Sequence, residues 1–359
     1  MKAARLIEFG QPMVIGDIPD PVLGTGEVIV DVVAAPVVPY AKDVLSGARG
    51  YLLTLPAVPG YVAIGRVHAV GPDTTRLQVG DWVYCDPVIR SRDAADFPDI
   101  TLLGLSARGP GGLKLQEHFR DGTWAQQVML PTENAIPIGE IDAGDAAAWC
   151  KMGSLLVPYG GLLALALRPG ETILVNGATG NFGSAGVAVA LAMGAGVVVA
   201  TGRDAATLAE LERRHGPRVR TVAMTGDEST DRAAMQAAAN GPIDCALDLL
   251  PPVASPTWAR AAIMAVRPYG RVALMGGIGM EGGGVLELPY VWIMRNCMTI
   301  IGQWMYPPTA PLQMAGMIRA GLIDIGWYEI SAFDLDDAEA AVAHAAAHVG
   351  PFRMTVLVP

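Results

Sequence analysis

Three closely spaced glycines, Gly177, Gly180 and Gly183, stand between two apolar runs, Thr172–Val175 and Val197–Val199. In such a pattern one glycine permits a tight turn, one lets a pyrophosphate approach the backbone, and one allows close packing of a helix on a strand. The helix that follows would direct N–H groups and the positive end of its dipole towards the phosphate. A glycine-rich turn of some other α/β protein is the alternative, but the flanking runs predict strand, turn, helix and strand, which favours a dinucleotide site.

The residues after the second run indicate which cofactor binds. A site for NADH usually carries Asp or Glu about 20 residues beyond the glycines, where it binds the ribose 2′-hydroxyl. Here Thr201, Gly202 and Arg203 stand at this place, and Asp204 follows the arginine. Thr201 can donate a hydrogen bond, and Arg203 can bind a 2′-phosphate through two N–H groups. The sequence therefore predicts NADPH, with an ordinary solvated surface arginine as the alternative for Arg203.

Length and charge restrict the remaining possibilities. The 359 residues suffice for two domains, and a net charge of −10 argues against nucleic acid or an anionic membrane as a partner. Glycine or charge interrupts the apolar stretches, so no membrane span is predicted. The 4 cysteines lack the spacing of a metal site or a disulfide framework, and the N-terminal residues lack the apolar core of a signal peptide. A reducing cytoplasm is the expected location.

Short runs elsewhere predict the remaining elements. The N-terminal part reads as mostly β, because its apolar runs are separated by Gly, Pro and Asp turns. The predicted strands include Val28–Val33, Ala63–Val70, Trp82–Cys85, Ile243–Leu249, Arg271–Met275 and Met298–Ile301. Two helices, Ala205–His215 and Asp334–Val349, are each followed by Gly-Pro. The segment Asp86–Arg120 predicts a surface loop, with a lid over the substrate as the alternative.

Passages in both halves of the chain resemble medium-chain dehydrogenases/reductases, the superfamily that includes the zinc-type alcohol dehydrogenases. Pro59–Tyr84 is similar to the family segment that ends in Gly-Asp-x-Val, and Val32–Gly47 is similar to the loop before it. Gly122–Pro131 resembles the strand that leads towards the cofactor domain. Together with the glycine turn, the resemblance covers nearly the whole chain.

This resemblance implies an α/β fold with two domains. Residues 1–145, with 306–359 returning to them, would form a GroES-like, mostly-β catalytic domain. Residues 146–305 would form a Rossmann domain with a doubly wound parallel sheet that binds NADP. The family further implies a homodimer that pairs through the edge of the Rossmann sheet.

The departures from the family concern its zinc ligands. Tyr40 stands where the zinc-dependent members carry a cysteine, and Tyr61 and Val62 stand where they carry His-Glu. The third ligand position matches 151–154, Lys-Met-Gly-Ser, and the structural zinc lobe has no cysteines here. Tetrahedral zinc needs three or four N, S or O side chains that converge on one point. We therefore expect no metal, which places the chain nearer the quinone oxidoreductase and enoyl reductase branch.

The resemblance also implies roles for individual residues. Cofactor contacts are expected from Gly177, Thr179, Gly180, Asn181, Phe182, Gly183, Thr201, Gly202, Arg203, Leu249, Gly276, Ile278, Gln303 and Met305. Substrate contacts are expected from Lys42, Tyr51, Met152, Leu155 and Trp304, and core packing is the alternative for the apolar ones. Tyr40 and Tyr61 are the candidate catalytic residues, and packing in a vacated metal site is the alternative for both.

The expected reaction follows from these residues. When hydride reaches an enone, negative charge builds on the carbonyl oxygen, and without zinc hydrogen-bond donors must stabilise it. The sequence thus predicts an NADPH-dependent oxidoreductase that reduces a conjugated C=C bond, a quinone or an enone of a hydrophobic small molecule. A metal-free, NADP-dependent alcohol dehydrogenase or ketoreductase is one alternative, and a non-catalytic NADPH-binding sensor is another.

Overall fold

The computed structural model describes residues 1–282 and 284–359. Gly283, in the glycine-rich turn after the predicted strand Arg271–Met275, lies outside the described residues. The chain forms two compact units, Met1–Gly153 with Ile325–Pro359, and Ser154–Asp324. The sequence-based boundaries at 145/146 and 305/306 fall earlier than these.

Contacts within the second unit explain why its second boundary falls beyond residue 305. Tyr159 donates a hydrogen bond of 2.8 Å to Gln313. The backbone at 305 also approaches Gly160 so closely that a Cβ there would lie 2.0 Å from the Met305 oxygen. These contacts hold the segment after residue 305 on the second unit.

The strands are, in chain order, β1 (Lys2–Arg5), β2 (Val14–Asp17), β3 (Glu27–Val37), β4 (Ala63–Val70), β5 (Trp82–Cys85), β6 (Val88–Arg90), β7 (Ile100–Leu102), β8 (Ser106–Arg108), β9 (Gln127–Pro131), β10 (Ala135–Pro137), β11 (Thr172–Asn176), β12 (Val197–Gly202), β13 (Val219–Ala223), β14 (Cys245–Asp248), β15 (Arg271–Leu274), β16 (Thr299–Gly302), β17 (Glu329–Asp334) and β18 (Arg353–Val358). The α-helices are α1 (Ala41–Leu45), α2 (Gly109–Gln116), α3 (Ala146–Trp149), α4 (Met152–Ala164), α5 (Asn181–Ala192), α6 (Ala205–His215), α7 (Glu228–Ala239), α8 (Pro256–Ala265), α9 (Tyr290–Arg295), α10 (Ala310–Arg319) and α11 (Ala338–Ala347).

The first unit is built on β3, which pairs antiparallel with β4, β9 and β18. The resulting seven-stranded sheet runs β10-β5-β4-β3-β18-β17, with β9 on β3. Val28, Val30 and Ala35 of β3 are buried in its core together with Ala63 and Val83 of the neighbouring strands. This sheet is the GroES-like domain that the sequence predicts.

The second unit holds a six-stranded parallel sheet in the order β13-β12-β11-β14-β15-β16. Counted from β11, this is the doubly wound 3-2-1-4-5-6 order of the Rossmann fold. The strand residues Ile173, Leu174 and Val175 of β11 are fully buried, as expected where both faces of a parallel sheet are covered. The predicted α/β fold class is confirmed.

Two sequence-based predictions of local structure are wrong. Asp86–Arg120 is no plain loop, since it contains the three-stranded sheet β6-β7-β8 and helix α2. Its strands are only three residues long, too short to show a period in the sequence. The helix predicted over Asp334–Val349 spans only Ala338–Ala347, because Asp334 ends β17, which pairs with β18.

Other predicted bounds are confirmed by the structure. Strands β4 and β5 and helix α6 have the predicted limits. Helix α6 begins where the Asp204 carboxylate accepts a 2.7 Å hydrogen bond from the Thr207 N–H, and it ends at Gly216, with a φ of 74°. Among the described residues, no helix combines the length and apolarity that crossing a bilayer requires.

Candidate active site

The residues predicted to bind the cofactor lie at or just beyond the carboxyl ends of the parallel strands in the second unit. Strands β11, β12, β14, β15 and β16 end at 176, 202, 248, 274 and 302, and the candidates follow or terminate these strands. In open α/β sheets, ligands bind outside the carboxyl ends at the point where the strand order reverses. That point is β11, the strand that leads into the glycine turn.

The glycine turn leaves room for a close approach from outside. Gly177 has a φ of 85°, a backbone conformation that side chains disfavour. Gly180 precedes the first residue of α5, and its N–H donates a 3.0 Å hydrogen bond to the Gly177 carbonyl. A Cβ on Gly183 would lie only 2.0 Å from the Gly177 oxygen, so helix and turn are in direct backbone contact. The first turn of α5, around Asn181 and Phe182, is the amino end of a helix, where the dipole favours a phosphate.

Thr201 is placed differently from the prediction. Its side chain is fully buried, and its hydroxyl donates a 2.7 Å hydrogen bond to Oδ1 of Asn176. The hydroxyl is thus turned towards β11, so the side chain gives no support to the cofactor role expected for Thr201. Gly202 is in turn covered by Thr179, whose Cγ2 would lie 2.3 Å from a Cβ at 202.

Asn176 and Asp248 extend this contact into a row that the sequence analysis missed. Nδ2 of Asn176 donates a 2.7 Å hydrogen bond to Oδ1 of Asp248, so side chains join the ends of β12, β11 and β14. Burial raises the pKa of Asp248 to about 6, although hydrogen bonds from Asn176 and the Leu250 N–H act in the opposite direction. In the sequence, this row is indicated by a polar residue at the end of each apolar run, namely Asn176, Thr201 and Asp248.

Arg203 is exposed, and its guanidinium carbon lies 4.9 Å from the centroid of the Trp258 ring. The neighbouring carboxylate, Asp204, is used as the N-cap of α6. Immediately after β12, the Arg203 guanidinium is therefore exposed, whereas the Asp204 carboxylate already accepts a hydrogen bond from α6.

The remaining cofactor candidates differ in their surroundings. Leu249 and Ile278 are half-buried, and a Cβ on the exposed Gly276 would lie 2.7 Å from Oδ2 of Asp248. The Gln303 amide donates a 3.2 Å hydrogen bond to the Met305 carbonyl, so it is turned towards its own backbone. Trp304, a substrate candidate, is 44% exposed.

In the first unit the structure brings the candidate tyrosines together. Tyr40 immediately precedes α1, and the guanidinium carbon of Arg49 lies 4.3 Å from its ring centroid and 5.3 Å from that of Tyr51. Burial first, and then Tyr51, raises the pKa of Tyr40, while Arg49 lowers it. Burial, followed by Tyr40 and Cys150, likewise raises the pKa of Tyr61 well above its usual range. Both phenols therefore stay protonated, as hydrogen-bond donors, through neutral pH. Arg49 is an element of this cluster that sequence reasoning missed.

Two glycines fix the place of Tyr61. Gly60 has a φ of 99°, and a Cβ there would lie 2.4 Å from Cδ1 of Trp124. A Cβ on Gly153 would lie 3.6 Å from the hydroxyl oxygens of both Tyr61 and Tyr84. The backbone next to Tyr61 is therefore fixed by packing, whereas the tyrosine itself is half-buried.

Three other substrate candidates differ in burial. Lys42 is exposed on α1. Met152 and Leu155 are fully buried, which favours the core-packing alternative for both. Tyr51 is thus the substrate candidate that the structure places beside Tyr40.

The sequence of this chain is similar to those of known dehydrogenases and reductases. Residues 24–140 match the alcohol dehydrogenase GroES-like domain. An alcohol dehydrogenase of Rhizobium meliloti (strain 1021) is 31% identical over 209 residues, 56% of this chain and 57% of that relative. An acryloyl-coenzyme A reductase of Metallosphaera sedula is 30% identical over 217 residues, 58% and 61% of the two chains. The matched segments thus span little more than half the length of these relatives.

Solved structures match the full length. A thermostable alcohol dehydrogenase from Pyrobaculum aerophilum has a TM-score of 0.76 at 21% identity, covering 100% of this chain and 99% of the other. A zinc-binding dehydrogenase from Sinorhizobium meliloti 1021, bound to NADP, has a TM-score of 0.79 at 19% identity, with 100% and 99% coverage. Together these similarities support the medium-chain dehydrogenase/reductase superfamily for this chain.

One solved structure with this fold, an alcohol dehydrogenase from Pyrobaculum aerophilum, holds cobalt and zinc, but the residues of this chain do not fit zinc. Phenols stand at 40 and 61 and a valine at 62, the places where the resemblance implies nitrogen, sulfur and carboxylate ligands. Cys150 is nearby, but its Sγ lies 3.4 Å from the Ala34 oxygen, and burial raises the pKa of the thiol far above its usual range. Within residues 1–282 and 284–359, no three His, Cys, Asp or Glu side chains are grouped to hold a metal ion.

The residues of this chain fit a nicotinamide dinucleotide. Gly180 is exposed just before the first turn of α5, and Arg203 is exposed just after β12. The residues that would hold the cofactor are the turn Gly177–Gly183, the first residues of α5, Arg203 and the segments after β14 and β15.

Proposed function

We propose that the chain is an NADPH-dependent, zinc-independent oxidoreductase that reduces a conjugated C=C bond, a quinone or an enone of a hydrophobic small molecule. The observation that carries this proposal is the pair of half-buried phenols, Tyr40 and Tyr61, at positions where zinc-dependent relatives have ligands. Their raised pKa values keep them as proton-bearing donors. Relatives named acryloyl-coenzyme A reductase and enoyl-[acyl-carrier-protein] reductase support a conjugated substrate.

The cofactor supplies hydride when it is bound. The protein's part is to hold the substrate and to stabilise the charge that develops on its carbonyl oxygen. Tyr40 and Tyr61 would donate hydrogen bonds to that oxygen. An enolate spreads this charge over several atoms, so two neutral donors suit a conjugated substrate better than a simple ketone, whose alkoxide needs stronger stabilisation.

Two alternatives remain distinct from this proposal. A metal-free alcohol dehydrogenase or ketoreductase is favoured by the relatives named alcohol dehydrogenase. A non-catalytic NADPH-binding sensor would use the cofactor residues without the tyrosines. The discriminating experiment follows NADPH oxidation with enones, quinones, ketones and aldehydes of matched size. Turnover on conjugated acceptors alone supports the proposal, turnover on ketones supports the first alternative, and binding without any turnover supports the second.

The preference for NADPH has its own test. Replacing Arg203 with Ala removes a charge-assisted contact, which is typically worth roughly tenfold to a hundredfold in affinity. NADPH binding should weaken by that factor and NADH binding should not. A titration in which both cofactors weaken equally would mean that Arg203 does not contact the 2′-phosphate.

We also propose that two copies pair through β16 and that the protein works in a reducing compartment. Strand β16 is an edge of the six-stranded sheet, and Tyr290, Val291 and Met294 of α9 are exposed apolar residues before it in the chain. The cysteines Cys85, Cys150 and Cys245 are buried and free, which suits the cytoplasm. Light scattering on the purified protein tests the dimer, and a charge introduced at Ile301 should produce monomers.

A further inference from the structure

Trp258 has surroundings that the proposed function does not yet explain. It lies near the start of α8, half-buried, and packs against a small apolar cluster formed by Leu250, Ala254 and Ala259. Its indole nitrogen lies 3.6 Å from where a Cβ on Gly226 would be. One face of the indole ring meets the guanidinium of Arg203 at 4.9 Å. An indole held on several sides is a firm support for a side chain that is otherwise exposed.

Helix α8 itself is fixed in two places near this tryptophan. Oγ of Ser255 accepts a hydrogen bond of 3.3 Å from the Thr257 N–H, which caps the helix. Nε of Arg260 forms an ion pair of 2.8 Å with Glu228, at the start of α7. The Trp258 backbone carbonyl also accepts a 3.4 Å hydrogen bond from Asn176 at the end of β11. The support under Arg203 is therefore tied to the strand that leads into the glycine turn.

An exposed arginine loses much side-chain entropy when it binds a phosphate. Stacking on an indole restricts the guanidinium beforehand and leaves its N–H edge free to donate, because a cation–π contact uses the face of the group. The competing acid beside it, Asp204, is used elsewhere: its carboxylate accepts the Thr207 N–H at 2.7 Å. The Trp258 ring therefore limits the rotamers of the Arg203 side chain, and its positive charge is not paired with Asp204.

We propose that Trp258 is the positioning residue that holds Arg203 for a phosphomonoester, so that the Arg203–Trp258 pair sets the preference for NADPH over NADH. This inference rests on the proposed function, in which Arg203 binds the 2′-phosphate. It assigns the selectivity for NADPH to Arg203, just after β12, together with Trp258 on α8.

The test measures binding by calorimetry, without substrate or turnover. The probes are adenosine 2′,5′-bisphosphate, which carries the 2′-phosphate, and 5′-AMP, which lacks it. W258L should weaken the bisphosphate about two- to fivefold, equivalent to about 0.5–1 kcal/mol, and leave 5′-AMP unchanged. W258F, which keeps an aromatic face, should recover most of the loss. In the R203A background W258L should have no further effect on the bisphosphate, because the tryptophan acts through the arginine.

The matched control is R213M, which removes a cation of α6 whose charge is already paired with Glu210. It should not change the ratio of the two affinities. If W258L weakens both probes equally, or weakens the bisphosphate further in R203A, the tryptophan binds adenine or supports the fold, and the inference is overturned.

The outcomes also separate this inference from the proposed function. If R203A weakens both probes alike, the proposed 2′-phosphate contact fails. If R203A is selective for the bisphosphate but W258L and W258F both match the parent, the proposed contact stands and only the positioning role fails. W258F guards against a variant that does not fold, since it changes the ring size but keeps the aromatic packing.

Discussion

The cofactor edge of the second unit and the tyrosine cluster of the first are built by different means. The cofactor edge depends on a short continuous segment, in which Gly177 and Gly183 are in backbone contact. The tyrosine cluster draws Tyr40, Arg49 and Tyr61 from separate turns and loops, and their places depend on packing against residues such as Trp124. Local backbone geometry can thus be inferred from sequence, whereas a side-chain cluster requires the tertiary fold.

The largest effect is expected in the tyrosine cluster. Y61F and Y40F keep the rings and remove only the hydroxyls, so packing is nearly preserved. Loss of an oxyanion donor in a dry site should lower turnover on an enone by roughly 10²–10³-fold, with NADPH affinity unchanged. The measurement is single-turnover reduction of one enone by each variant and by the double variant. Turnover within about threefold of the parent in all three would make the tyrosines packing residues only.

In the cofactor edge, the backbone contact itself can be broken. G183A places a Cβ 2.0 Å from the Gly177 oxygen, and such overpacking should lower the free energy of unfolding by about 1–3 kcal/mol and weaken NADPH binding. G180A is the control, because its Cβ would lie at an ordinary 3.4 Å from the same atom. The two variants are compared by denaturant unfolding, because Gly180 is itself a cofactor-binding candidate, and equal losses of stability would contradict the assigned geometry.

Asp248 should make the free energy of unfolding depend on pH. Its folded pKa of about 6 lies above the ordinary 3.8, so the folded state binds the proton more tightly. The stabilisation from this group is present below about pH 4 and is lost as pH rises through about 6. D248N keeps an acceptor for Asn176 and removes the buried charge, so it should raise the free energy of unfolding by about 1–2 kcal/mol at pH 7.5. An unchanged slope between pH 4 and pH 6 in the variant would contradict this assignment.

The smallest effect is expected from metal removal. Because phenols and a valine replace the ligands of the zinc-dependent relatives, dialysis against a chelator should leave turnover within about twofold of its starting value. Elemental analysis should find no stoichiometric zinc. About one zinc per chain, with activity that disappears on chelation, would overturn the proposed zinc independence.

Elements set by local chemistry can be predicted from the sequence, whereas contacts set by the tertiary fold cannot. Helix α6 is readable because its limits are chemical: Asp204 caps its start and Gly216 ends it with a positive φ. The prediction of a loop over Asp86–Arg120 fails because strands of three residues carry no period. The position of Thr201 at a strand end is visible in the sequence, whereas its partner, Asn176, is decided by the pairing of β11 with β12. Trp258 is missed for a similar reason, since nothing local links it to Arg203.

The row of side chains across the ends of β12, β11 and β14 also has a direction. An ionised carboxylate can only accept, so a charged Asp248 requires the Asn176 amide to present its NH₂ group on that side. The amide oxygen then faces Thr201, and the threonine hydroxyl must donate. The Trp258 carbonyl accepts from the same Nδ2 and can only accept, so it requires the same amide orientation. One buried acid and one backbone carbonyl therefore set the orientation of an amide and a hydroxyl on two neighbouring strands.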